Sequence, residues 1–437
     1  MGKKLLNSPS AYAMGMFAMM IPSQAFSSFY TYYYVEKIGL GLGLIAVARL
    51  IYSIWDAVNN PMMGYFSDRT RTRYGRRKPW IVAAALPFVL SFVMIFSPPG
   101  GLNDMGLFWW LVAGLVLFEG IATILWVNYN ALFPEIFRGD TLRAKASAVQ
   151  QGYQIAAILI ATTLTPFIYK ALGFGNMAIL YGVVFAACML WCMSKVQEDE
   201  NARKDEPLPF LKAFRETLKN KEFWLFNIAN SFAQTVNGML SASIPFYAKY
   251  VLKIPEAQVS ILMASVFVSV IPLVGVWFLI VRKMGGVRGW RLSLLVYALS
   301  VIPLLLGRDL ISGIIAGVLV GFGLAGFLVS PAVLSGQIID RDAEKTGRRR
   351  EGIYTAVAGF ITRSSGLISA VAFWVVGKMF GYVSGDEPGP NPETTFLVLI
   401  SIVPLILLAI SCLISLLVKG YGDNGRKSGF PAPGTTA

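Results

Sequence analysis

The chain has 437 residues, of which 55% are hydrophobic and only 14% are charged, and its mean hydropathy is +0.60. Soluble domains carry about 25% charged residues, so this composition excludes a soluble globular protein and indicates an integral membrane protein. The net charge of +14 could suggest a nucleic-acid partner. The basic residues lie in short segments between apolar runs, however, so we expect none.

Apolar runs long enough to cross a bilayer, about 20 residues each, follow one another along the whole chain. They predict an all-α membrane protein with twelve transmembrane helices. The predicted helices occupy 11–36, 41–66, 80–98, 106–134, 147–170, 174–195, 223–252, 257–283, 291–307, 310–339, 353–381 and 395–418.

The orientation in the membrane follows from lysine and arginine, which favour cytoplasmic loops. With both termini on one side, that side holds 30 of the 38 basic residues. The pattern therefore predicts cytoplasmic termini in a multi-pass protein of the cell (inner) membrane.

The longest polar insertion divides the predicted helices into six and six. We expect an N-terminal bundle at 1–197, a cytoplasmic linker at 198–222, a C-terminal bundle at 223–418 and a cytoplasmic tail at 419–437. The linker contains LPFLKAFRETLKN, which is interpreted either as an amphipathic helix on the membrane surface or as a simple connection. Two six-helix halves are typical of parallel-repeat secondary transporters.

Two segments narrow the family. WDAVNNPMMGYFSDRTRTRYGRRKPW runs from Trp55 to Trp80, and DRDAEKTGRRREGIYTA runs from Asp340 to Ala356. Both resemble segments of the glycoside–pentoside–hexuronide:cation symporters, the melibiose permease-like branch of the major facilitator superfamily. The resemblance covers essentially the whole chain and implies that superfamily's fold, with two six-helix bundles.

The resemblance also implies a coupling-cation site on the second helix. An Asp of the family that binds the cation corresponds to Asp56, whereas a second Asp is replaced by Asn60. Asp56 with amide oxygens of Asn59 and Asn60 can ligate Na⁺, which prefers oxygen. A single desolvated carboxylate can equally take a proton, because burial disfavours its charged form. H⁺, Na⁺ and uncoupled transport therefore all remain open, and no other cofactor is expected.

Other charges are predicted to lie within the membrane, where they are costly and usually functional. Glu119 is a second candidate for cation coupling. Arg363 stands where the family has a lysine, and we predict that it contacts substrate and pairs with Asp56 across the two halves. The alternative is that Arg363 pairs with Glu119, or with carbonyl groups at a helix end, for structural reasons alone.

The basic loops suggest gating at the cytoplasmic side. Asp68, Arg76 and Arg77 follow the second helix, and Arg349 and Arg350 precede the eleventh. Charge pairs there can hold the halves together in one state and separate in the other. Alternatively, these residues only fix topology and contact lipid headgroups.

The substrate residues cannot be transferred from the galactoside-binding members of the family, because their two acids correspond to Met20 and Trp126. Amide and aromatic side chains remain, and these suit sugars. The predicted substrate-binding residues are Gln24, Tyr30, Trp126, Asn130, Gln151, Asn227, Gln234 and Arg363. Some of the amides could instead join helices to one another.

These observations predict a monomeric secondary active transporter in contact with membrane lipids. It is expected to carry a sugar, glycoside or related small organic solute across the membrane by alternating access, as a symporter coupled to H⁺ or Na⁺. The alternatives are an uncoupled facilitator, a carrier of lysolipids, or a membrane sensor that has lost transport. The sequence contains neither the reactive constellation of an enzyme nor a nucleotide-binding GxxxxGK[ST] loop.

Overall fold

The computed structural model describes residues 8–70, 72, 74–137, 140–198, 220–346, 351–385 and 387–418, apart from scattered side chains within the helices. The predicted tail and nearly all of the predicted linker, including its amphipathic segment, lie outside the described residues.

Helices account for almost all of the described chain, and no strand occurs among these residues. The helices are α1 (Pro9–Tyr32), α2 (Leu42–Arg69), α3 (Lys78–Ile95), α4 (Asp104–Ile136), α5 (140–172), α6 (174–195), α7 (Lys221–Phe246), α8 (Glu256–Met284), α9 (Gly286–Ser300), α10 (Leu310–Thr346), α11 (Glu351–Met379) and α12 (Pro392–Leu417). α5 and α6 form one continuous element that bends at Gly173, whose φ of 82° is unfavourable for other residues.

Eight helical stretches of the described chain are long and apolar enough to cross a membrane. The joined pair α5–α6 counts as one of them, and the others are α3, α4 and α8 to α12. The prediction of an all-helical, multi-pass membrane protein is thereby confirmed. α1, α2 and α7, which carry many of the predicted functional side chains, are not among the eight.

Several helices extend beyond the apolar runs that predicted them. α5 begins at residue 140 instead of 147, α9 begins at Gly286 instead of 291, and α10 continues to Thr346 instead of 339. Hydropathy detects only the part of a helix that lies in hydrocarbon. A helix continues into the polar region wherever its backbone hydrogen bonds continue, so these boundaries were predicted too short.

The helices pack first within each half of the chain. α1 packs against the α5–α6 element and α4 packs against α2 and α3, whereas α7 packs against α11 and α12 and α10 packs against α8 and α9. The halves meet where α2 contacts α11, α1 contacts α7 and the α5–α6 element contacts α8. A cavity enclosed by these contacting helices therefore lies between the two halves.

Candidate functional site

A cavity of about 1290 Å³ lies between the two halves. α1, α2 and α4 form its wall on one side, and α7 and α11 form the wall on the other. Hydroxyl, aromatic and charged side chains are all present in this lining, so a ligand could contact both halves at once.

Five of the predicted site residues line this cavity: Tyr30 on α1, Asp56 on α2, Glu119 and Trp126 on α4, and Gln234 on α7. Residues that are far apart in the sequence are thus brought to one site. The ring of Tyr30 stacks on that of buried Phe26, with centroids 4.5 Å apart. This contact fixes the orientation of one aromatic wall of the cavity.

Four predicted substrate residues lie elsewhere. Gln24 is half-buried beside Ser28 on its own helix, with its Nε2 3.3 Å from the Ser28 Oγ. Asn130 and Gln151 are exposed but do not belong to the cavity lining. Asn227 is buried and donates a hydrogen bond of 2.8 Å to the carbonyl of Phe223, one turn earlier. The α7 part of the cavity wall begins only at Gln234, so Asn227 lies beyond its end.

Asp56 is 5% exposed and faces α4. The Thr123 Oγ1 lies 3.5 Å from its Oδ1 and 3.1 Å from the Glu119 carbonyl oxygen. Asn59 is also buried, and its Nδ2 donates to the carbonyl of Gly120 at 3.1 Å. A carboxylate, a hydroxyl and a backbone carbonyl therefore approach one another at the α2–α4 contact, and all three are oxygen ligands of the kind that hard cations prefer.

An ion pair that the sequence did not predict lies two helical turns from Asp56. Arg49 Nη1 donates to Glu119 Oε1 at 2.9 Å, and both side chains line the cavity. The Arg49 guanidinium also lies over the ring of Tyr52, 5.0 Å from its centroid. Because Arg49 precedes Asp56 by seven residues, the two share a helix face. That spacing is the sequence signal that would have placed Arg49 in the site, but it was not used.

The α11 wall was also largely missed. It carries hydroxyl groups at Thr362, Ser364, Ser365 and Ser369, and Gly366 lies among them. Ser364 is 3.1 Å from Ser231 of α7, so the wall is joined to the neighbouring helix. The run TRSSGLIS is visible in the sequence, but small hydroxyl residues are common between membrane helices and do not by themselves indicate a binding site.

The predicted gating loop after α2 is bound to its own half. The carboxylate of Glu198, after α6, accepts hydrogen bonds from the backbone N–H groups of Arg76, Arg77 and Lys78 at 2.6, 2.9 and 2.6 Å. A helix N-terminus such as that of α3 attracts an anion in this way. The Arg77 side chain donates to the Ser67 Oγ at 2.5 Å. These contacts join α2, α3 and α6 into one unit.

The remaining predicted residues lie outside the described part of the structure. These are Arg349 and Arg350 and the side chains of Asn60, Asp68 and Arg363. The proposed pair between Asp56 and Arg363 therefore stays a prediction. The alternative interpretation paired Arg363 with Glu119. Among the described side chains, the ion-pair partner of Glu119 is Arg49.

Comparison with known proteins gives a family and several relatives. A family described as MFS/sugar transport protein matches residues 11–419. The chain is 24% identical to the uncharacterized symporter YnaJ of Bacillus subtilis (strain 168), over 92% of this chain and 89% of the relative. It is 23% identical to the putative glycoside/cation symporter YagG of Escherichia coli (strain K12), over 91% and 88%. It is also 22% identical to the sodium-dependent lysophosphatidylcholine symporter 1-A of Danio rerio, over 92% and 84%.

Proposed function

Because the chain belongs to the MFS/sugar transport protein family, we propose that it is a symporter that carries a glycoside or related small organic solute across a membrane together with a cation. The observation that carries this proposal is the cavity between the halves, which combines hydroxyl groups, aromatic rings and a buried carboxylate. A transporter, rather than an enzyme, is what the family and its symporter relatives indicate.

The cavity lining supports a sugar-like substrate. Tyr30 and Trp126 offer aromatic faces, on which the apolar faces of a sugar ring can stack. Gln234 and the hydroxyl groups of α11 can exchange hydrogen bonds with sugar hydroxyls from the opposite wall. Gln24, Asn130, Gln151 and Asn227 do not line this cavity, so a contact between them and substrate would require another state of the transporter.

Cation coupling is assigned to Asp56, with Thr123 and Asn59 beside it and Asn60 as a further amide. Glu119 contributes by holding Arg49 in the cavity wall. A cation bound at Asp56 changes the charge of the same wall that contacts substrate, so the two ligands influence each other's affinity reciprocally. The sodium-dependent relative makes Na⁺ the first cation to test, and H⁺ is the second.

The proposed mechanism is alternating access between two six-helix halves, in a monomer with twelve membrane spans and cytoplasmic termini in the inner membrane. Asp68, Arg76, Arg77, Arg349 and Arg350 would gate the cytoplasmic side, and Arg363 would bring a positive charge to the substrate. The contacts of the Arg76–Arg77 segment with Glu198 support a loop that moves with the first half.

A lysolipid carrier is the second candidate. Ligand sites for drug-sized molecules typically measure about 300–1,000 Å³, so a cavity of about 1290 Å³ exceeds the need of a monosaccharide. A relative named for lysophosphatidylcholine aligns over as much of this chain as the glycoside relative does. The charged pair Arg49–Glu119 matches a zwitterionic headgroup in charge.

A thermal-shift screen tests the proposal and separates the two candidates. The purified protein is heated with pentosides, hexosides, hexuronides or lysophosphatidylcholine, each in sodium chloride or choline chloride. A ligand at about one hundred times its Kd stabilises the folded state by about 2.7 kcal/mol, which is a measurable rise in Tm. We expect a glycoside to raise Tm, and its partner cation to increase that rise. A rise with lysophosphatidylcholine alone would reject the glycoside assignment.

A further inference from the structure

The ends of α1 and α7 have the same unusual backbone. Each closes with a single π-helical turn, Tyr33–Lys37 after α1 and Tyr247–Val251 after α7. The closing hydrogen bonds correspond as well, from Ile38 N–H to the Tyr33 carbonyl at 3.1 Å and from Leu252 N–H to the Tyr247 carbonyl at 3.0 Å. Isolated π turns occur frequently at functional sites. The two halves of the chain thus have equivalent turns at the same end of the molecule. This end, which lies opposite the start of α1, is called the distal end.

These two π turns bind each other. Glu36 of the first turn has a fully buried side chain, and the Tyr250 hydroxyl of the second turn donates to both of its oxygens, at 2.8 and 2.7 Å. Lys249 forms an ion pair with the same carboxylate. The hydroxyl of Tyr382, after α11, donates to it as well. Every partner named here belongs to the second half, so this group, the distal clasp (Glu36, Lys249, Tyr250 and Tyr382), joins the halves.

The three residues that the second half contributes to the distal clasp are held in place by contacts within that half. The rings of Tyr250 and Tyr382 both pack against buried Phe396, with centroids 5.2 and 4.8 Å away. The Lys249 ammonium lies over the Tyr250 ring at 4.8 Å. Since these contacts are internal to the second half, the three donors can keep their arrangement when Glu36 leaves.

A second contact between the halves lies at the same end. Glu256, in the first turn of α8, accepts hydrogen bonds from the Lys37 Nζ at 2.5 Å and from the Tyr32 hydroxyl at 3.2 Å. Both charged side chains are partly exposed, 40% for Lys37 and 34% for Glu256. Exposed ion pairs contribute little, whereas a fully buried carboxylate such as that of Glu36 is strongly destabilised when its partners leave, so we expect Glu36 to dominate the contact.

We propose that the distal clasp is the distal gate of the transport cycle: it closes this end of the central cavity, and it must open whenever the cavity faces that side. This proposal rests on the transport function proposed above. A buried carboxylate is stable only while its donors replace water. When the halves separate, water hydrates each of these groups, so such a clasp opens at a lower cost than an equally large apolar seal.

Cysteine accessibility tests this gate without any substrate. Cys188, Cys192 and Cys412 are replaced by alanine, and Ser27→Cys provides a reporter on the cavity wall. Membrane vesicles of both orientations are treated with a membrane-impermeant maleimide. We expect Glu36→Gln to raise the labelling rate from the distal side about tenfold, which corresponds to about 1.4 kcal/mol, and Glu256→Gln to raise it less.

Glu393→Gln is the matched control. Glu393 lies in the first turn of α12, and its ion pair with Lys253 at 3.1 Å is exposed and stays within the second half. We expect no change in labelling for this variant. Equal labelling rates for Glu36→Gln and Glu393→Gln would overturn the proposal.

A cross-link tests the gate even if Glu36→Gln fails to fold. Lys37→Cys and Glu256→Cys are joined by a short, reducible bismaleimide while Glu36 is unchanged. The proposal expects the cross-link to abolish labelling of the reporter from the distal side, to leave labelling from the opposite side, and to be reversed by reduction. Unchanged distal labelling in the cross-linked protein would contradict it. Because no ligand is involved, these outcomes do not depend on which solute is transported.

Discussion

Two ion pairs of this protein have opposite relations to its halves. Arg49 and Glu119 belong to the same half and line the central cavity, whereas Lys249 and Glu36 belong to different halves and lie at the distal end. A pair within one half is preserved when the halves move, so it can shape a binding site in every state. A pair between the halves exists only in the states in which its two members meet. We therefore infer that the first pair shapes the binding site and the second joins the halves. Substitutions at the two pairs should then have different effects.

The largest effect is expected at the proposed cation site. Asp56→Asn removes the only charge of that site among its described oxygen ligands, so coupling to the cation is lost. We expect gradient-driven accumulation to fall at least about tenfold, while substrate exchange without a gradient is retained. Asp104→Asn, at an exposed position in the first turn of α4, is the control and should accumulate normally. Full accumulation by Asp56→Asn would exclude this residue as the coupling site.

The pair within the half is tested next. Arg49→Met leaves Glu119 without its partner, and an unpaired charged group at a partly buried position costs about 1 kcal/mol. We therefore expect a lower Tm. The double variant Arg49→Met/Glu119→Gln should regain most of the lost thermal stability, but it should not regain transport activity.

This pair also tests directly whether the two ion pairs have separate roles. Neither Arg49→Met nor the double variant should change the side from which the Ser27→Cys reporter is labelled, because the pair does not join the halves. If either variant raised the labelling rate from the distal side as much as Glu36→Gln is expected to, the two ion pairs would not have separate roles.

An intermediate effect is expected for the aromatic wall. Trp126→Ala removes a stacking surface from the cavity, and we expect the KM for a glycoside to rise about fivefold, since aromatic contacts contribute about 1 kcal/mol beyond their buried area. Trp191→Ala is the control, because Trp191 is 45% exposed on α6, outside the cavity lining. Equal KM values for the Trp126→Ala variant and the unmodified protein would place the sugar elsewhere.

The smallest effect is expected at the contact between α2 and α11. A Cβ atom at Gly366 would lie 2.6 Å from Arg49 Nη2, so Gly366→Ala requires that flexible side chain to move. We expect the transport rate to fall about threefold, which corresponds to about 0.6 kcal/mol. Gly359→Ala adds the same methyl group to the same wall at a point where no atom of the described residues lies within 4 Å, and it should transport at the normal rate.

The sequence predicted the scaffold better than the site, for physical reasons. Apolar runs and basic loops report contact with hydrocarbon and with the membrane surface, and both extend over many residues. The resemblance of the segment around Asp56 to the family correctly predicted one residue of the cavity lining. The choice of aromatic and amide residues on α1, α4 and α7 correctly predicted others. Asn227 shares a helix face with Gln234 in the sequence pattern, yet only Gln234 reaches the cavity, because the length of a cavity along a helix depends on the packing of other helices.

The distal clasp was beyond the reach of sequence patterns. Glu36 and Lys249 lie near the ends of predicted helices (11–36 and 223–252), where single charges are ordinary. Their pairing depends on two π turns and on the way the two halves dock. The Arg49–Glu119 pair was closer to prediction, because Glu119 was recognised as a charge within a helix, although Arg49 was not assigned to the site.

The central claim is that this cavity couples a solute to a cation gradient. Uptake into proteoliposomes measures it directly, with the glycoside identified by thermal shift and an imposed Na⁺ or pH gradient. The account predicts that the solute reaches a higher concentration inside than outside under one of these gradients, and that an ionophore for that cation abolishes the excess. Equal concentrations on both sides under both gradients would contradict symport and establish uncoupled, facilitated transport instead.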